Sequence, residues 1–109
     1  MHATQAIPLT VEPEAAALVA ELGLQAELEQ MLDHARRTIT GLQSLGVKFA
    51  PAYDTGEEGI IIEAVRTPAS RETSDWTWEQ FSRWKVSTFS PDVWRYFTLL
   101  DEYGSSHAG

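Results

Sequence analysis

The side chains through which a small protein can do chemistry are sparse here and poorly spaced for it. Cysteine is absent, which removes thiolate catalysis and disulfide bonding. The three histidines, His2, His34 and His107, lie far apart, and no pair has the four-residue spacing that sets two imidazoles on one helical face for zinc. Gly41-Leu42-Gln43-Ser44-Leu45-Gly46 has the outline of a nucleophile elbow, but its serine stands one place too late and no strand is expected to lead into it. Asp54-Thr55-Gly56-Glu57-Glu58-Gly59 gathers three carboxylates without the alternating ligands and distal glutamate of a calcium loop. That segment reads as a solvated hairpin turn. No phosphate-cradling glycine loop is present, and neither a metal nor any other cofactor is implied.

Glu63 is the exception. It sits between Ile61 and Val65 on a strand face that should be half buried, where an unpaired carboxylate is costly. It can pair with Arg66, Arg36 or Lys48, reach across to a partner, or serve as a binding or catalytic acid with a raised pKa. A ligand pocket anchored on Glu63 would draw on Arg66, Trp78 and Tyr53. A small enzyme would draw on Glu63, Asp54, Arg66 and His34.

The elements that must hold these residues follow from periodicity. Residues 1–10 lack a pattern and are expected to form a flexible arm, with a single α+β domain over 11–104 and a disordered tail at 105–109. Glu12-Pro13-Glu14 opens a helix that Gly23 ends. Leu24, Leu28, Met31, Leu32, Ala35, Ile39 and Leu42 recur at spacings of three and four, an apolar stripe along a second helix ending near Thr40-Gly41, with Leu42 and Leu45 packing its exit. Val47 to Tyr53 and Ile60 to Val65 form a central antiparallel hairpin, and Pro51 should make its first strand an edge strand or interrupt it. Both faces of Ile60–Val65 are largely apolar, as in strands covered on both sides.

Thr67 to Asp75 reads as a polar loop. A capping box at Thr77-Trp78-Glu79-Gln80, with Trp76 and Phe81 as a hydrophobic staple, predicts a helix start there. Residues 84–89 alternate well enough to admit a third strand. Ser90-Pro91-Asp92 starts another helix, whose Val93, Trp94, Phe97 and Leu100 turn inward until Tyr103-Gly104. The expected fold is thus α+β: two N-terminal helices, the hairpin, and a C-terminal aromatic-rich helical segment.

Nine of the eleven aromatics, all four tryptophans among them, fall between Trp76 and Tyr103. Each can bury ~150–250 Å², which is crowded for 109 residues. Some should reach the surface, where Trp and Arg dominate binding hot spots. The expected interface is Ile61, Val65, Trp76, Trp78, Trp84, Trp94, Phe97, Arg83 and Arg95.

Charge narrows the partners. Sixteen acidic against eight basic side chains leave a net charge of −8, and residues 1–35 carry six acids and no base. No basic face is available to neutralise phosphate, so direct nucleic-acid binding is not expected, and anionic membranes are disfavoured by the same field. No run approaches the ~18 apolar residues of a membrane span. The N-terminus lacks a signal peptide's basic-then-apolar layout, and a cytoplasmic location is expected. The leading expectation is a non-enzymatic, acidic protein-interaction domain forming a homodimer or higher oligomer, a regulator, inhibitor or antitoxin-like partner of a basic protein. The alternatives are the Trp-lined pocket or small enzyme anchored by Glu63, and an acidic mimic of nucleic acid.

Overall fold

The computed structural model describes residues 7–39, 41–51, 57–67 and 71–103, the side chains of 71–75 and 103 excepted. The chain opens with a short strand, β1 (Leu9–Val11). Residues 9 and 10 thus belong to the sheet rather than to a loose arm, because backbone bonds on either side of β1, Leu45 N–H to Pro8 O and Glu12 N–H to Val47 O, fasten it to its neighbour. In α1 (Pro13–Leu22) proline takes the first helical position, where its missing N–H costs nothing, and Glu14 faces the positive end of the dipole. Gly23, at φ 71°, closes the helix.

The stripe of the second helix is realised in α2 (Gln25–Thr38), which buries Leu28, Met31, Leu32 and Ala35. The helix ends sooner than the stripe implies. Ile39 is extended, and Gly41 takes φ 76°, where a Cβ would collide with the Thr67 hydroxyl. Leu42 therefore begins β2 (Leu42–Ala50) instead of packing a helix exit. β2 stops just before Pro51, which has no N–H to give a ladder, and pairs antiparallel with β3 (Gly59–Arg66).

Three expectations for the second half are corrected. First, α3 (Arg71–Thr88) starts inside the supposed polar loop, and Thr77 is an interior helical residue rather than a cap. Thr77 and Phe81, one turn apart, are both buried, Phe81 in the core shared with the sheet. An N-cap contributes ~1 kcal/mol, whereas burying a phenylalanine contributes ~1.5–3 kcal/mol. Second, residues 84–89 form no strand: the helix runs through Thr88, and Phe89 N–H still bonds to the Lys85 carbonyl. Third, the helix starting at Ser90-Pro91-Asp92 is a single turn, α4 (Pro91–Trp94), and the chain then becomes β4 (Phe97–Tyr103). Adjacent Leu99 and Leu100 fit a period of three or four as readily as two, and parallel pairing with β3 settles the matter.

The four strands lie in the order β1-β2-β3-β4, with β1/β2 and β3/β4 parallel and β2/β3 antiparallel. Leu45, Val47, Ile60, Ile62, Ala64, Phe97 and Leu99 point to one face and form a single core with residues of α1, α2 and α3. The two crossovers, through α1–α2 and through α3–α4, step sideways in the same direction between strands that run opposite ways. Two right-handed crossovers would then put helices on opposite faces. Here both helical layers cover the same face, so the crossovers have opposite hands and the other face carries no helix among the described residues.

Candidate functional site

The uncovered face is built from the outward positions of the strands: Ser44, Gly46 and Lys48 on β2, Ile61, Glu63 and Val65 on β3, and Thr98, Leu100 and Glu102 on β4. Its apolar part is Ile61, Val65 and Leu100, the last 41% exposed. Glu63 stands opposite Gly46 in the register, and the missing side chain there leaves room for the carboxylate to lie over β2, with Thr10 beyond. One step along β2, Lys48 meets it diagonally, Nζ to Oε1 3.2 Å. Of the cations available to Glu63, Lys48 is the one it takes.

A second carboxyl joins this pair from β4. A hydrogen bond to Glu63, then loss of hydration, then the Glu63 charge hold the Glu102 carboxyl above its usual range, with Lys48 opposing. The hydrogen bond and charge of Glu63 raise Lys48 in turn. The three groups form a chain of one lysine and two carboxyls across three strands. With its lysine open to water, this ion pair does little to hold the fold.

Arg66 belongs elsewhere. It is 1% exposed, on the core face of β3, and its Nη2 donates to Asp101 Oδ2 at 2.9 Å, while its Nε has no hydrogen-bond partner among the described residues. It cannot reach Glu63 through the sheet. Trp78 is 52% exposed on α3, across the sheet from Glu63, and Tyr53 and residues 54–56 of the acidic turn lie outside the described residues. Glu63, Arg66 and Trp78 are therefore not brought together into one pocket.

The aromatics separate into three groups. Phe97 is buried in the core, whereas Trp84 is half buried beneath a stacked His34, ring centroids 3.8 Å apart and planes 4° from parallel. Burial, then Arg37, pushes His34 below its usual pKa, against a smaller opposing pull from Asp33. Trp94 is half buried with the Lys85 ammonium 5.8 Å from its ring centroid. Burial lowers Lys85, whose Nζ donates to the Phe97 carbonyl at 2.6 Å. Trp76 and Trp78 remain in water on α3, near an exposed Arg83 paired with Glu79 at 2.7 Å. Arg95 lies at the end of the sheet, stacked on Tyr96 and paired with Glu57 at 3.4 Å.

Sequence reasoning singled out Glu63 but not Glu102 or Gly46, which join it only once β4 is a strand beside β3. Among the described residues no group of three histidines or acids is arranged to hold a metal ion, and no helix is long and apolar enough to cross a membrane. Comparison with protein-family models, with curated proteins and with solved structures finds no match.

Proposed function

We propose that the chain is a non-enzymatic protein-interaction domain that self-associates through the bare face of its sheet. The observation that carries this reading is the Ile61–Val65–Leu100 patch, which no element of the described chain covers. Parallel pairing, which two of the three strand pairs use, ordinarily goes with both faces of a sheet packed. Electrostatics favour a second copy as the occupant. The chain carries −8, yet this face sets Lys48 against Glu63 and Glu102. That face is less acidic than the chain as a whole, which lowers the repulsion between two copies meeting there.

Strands ~4.8 Å apart and ~3.3 Å per residue make the platform roughly 400 Å² in projection. That is small beside the ~800 Å² per partner of a standard interface, so a reversible, concentration-dependent dimer is expected rather than an obligate one. Light scattering across a dilution series tests this. The expected result is a mass rising towards twice 12.2 kDa, with Leu100→Glu and Ile61→Glu holding the chain monomeric at unchanged circular dichroism. A monomer at every concentration, or a dimer indifferent to both substitutions, refutes the reading.

A further inference from the structure

A second recess lies on the helical side of the sheet. His34 and Thr38, one turn apart on α2, and Trp76, Thr77, Gln80 and Trp84 on α3 enclose a cleft of about 290 Å³. That is close to the lower bound for small-ligand sites, ~300 Å³. Its back wall is stiff. The His34–Trp84 stack is braced by Phe81, tilted against both rings, and by Phe89, whose ring meets Trp84 edge-on at 5.5 Å. Its mouth is different: Trp76 is 59% exposed, an indole left in water beside an aromatic wall.

The lining sets the chemistry of an occupant. Among the described residues it contains no Lys, Arg, Asp or Glu, and burial and Arg37 keep His34 towards its neutral form. Among those residues nothing neutralises a phosphate, and no carboxylate balances a cation. The open ring faces suit a flat molecule. Polar capacity is confined to a few atoms. The Thr38 hydroxyl donates to the His34 carbonyl at 2.8 Å and is left as an acceptor. Gln80, exposed on α3, offers an amide donor and acceptor side by side, the pattern that pairs with the edge of adenine.

We propose that this cleft binds an uncharged planar heteroaromatic molecule of the nucleobase type, stacked on Trp76 against the aromatic wall, with its donor–acceptor edge met by Gln80. The site is separate from the bare sheet face and stands or falls independently of self-association.

Adenine is the probe, titrated against the full chain and followed by tryptophan fluorescence and backbone amide shifts, with indole as a flat control that lacks the paired edge. Saturable binding is expected, with shifts confined to α2 and α3. Because the bidentate edge and the stacking each contribute to binding, Gln80→Leu should weaken adenine about tenfold and leave indole unchanged, and Trp76→Ala should weaken both by about tenfold. Both side chains are exposed, so the variants keep the fold, and Leu100→Glu on the opposite face should leave adenine affinity unaltered. No saturable response at millimolar adenine, or a response untouched by Gln80→Leu and Trp76→Ala, overturns the proposal.

Discussion

Replacing Asp101 by asparagine should be among the most damaging single-atom changes available in this chain. Asp101 and Arg66 form an ion pair of 2.9 Å whose side chains are 5% and 1% exposed, so water screens neither. At an effective dielectric of ~20 their attraction is roughly 6 kcal/mol, offset by several kcal/mol of desolvation for each ion. The net contribution of the intact pair is therefore small. Breaking it is another matter, since Asp101→Asn strands the Arg66 charge, whose Nε already lacks a partner among the described residues. The expected loss is about 3–5 kcal/mol from a total of roughly 5–15 kcal/mol. At roughly 4 °C per kcal/mol the midpoint falls by about 12–20 °C. Urea unfolding at pH 7, followed by tryptophan fluorescence and circular dichroism, measures the change, with Asp33→Asn as control. Asp33 and Arg37 form a pair of the same 2.9 Å on the surface of α2, and the control should cost under ~1 kcal/mol. Replacing both members, Arg66→Met with Asp101→Leu, should recover most of the loss. An Asp101→Asn cost no larger than that of Asp33→Asn, or a double variant no better than the single, refutes the reasoning.

Other outcomes are equally specific. Gly41→Ala should cost about 1–3 kcal/mol by chemical denaturation, because its positive φ and the Thr67 hydroxyl both oppose a Cβ; Gly23→Ala, with open space around it, should cost only the left-handed penalty of ~1–2 kcal/mol. Phe81→Ala should lose about 3–5 kcal/mol, since the ring is buried between α3 and the sheet. His34 has its folded pKa held below the unfolded value, so between the two the unfolded chain binds the extra proton. Stability should therefore be full above pH ~6.5 and fall as the pH drops through the folded value. Thermal melts of His34→Phe should lack that slope.

Much of the first half was legible residue by residue. Pro13 and Gly23 bracket α1, the Leu28–Ala35 spacing is that of α2, and Pro51 marks where β2 must stop. The second half misled because its local signals contradict the tertiary ones. Thr77-Trp78-Glu79-Gln80 is a sound helix start in isolation, yet the helix begins six residues earlier because Phe81 and Thr77 are buried together. Phe97 to Tyr103 has no clean period of two, and it becomes a strand because β3 presents an open edge in parallel register.

The composition and patterning of the chain by themselves determined an acidic α+β domain, free of thiol chemistry, with more aromatic surface than its length comfortably buries. Those are consequences of residue type and local spacing. Only the tertiary structure decided which surface stays bare, that Glu63 lies over Gly46 beside Lys48 and Glu102, and that Arg66 is shut away with Asp101. Each of these depends on strand order and on which face the crossovers cover. Both are set by contacts dozens of residues apart, which no local pattern encodes.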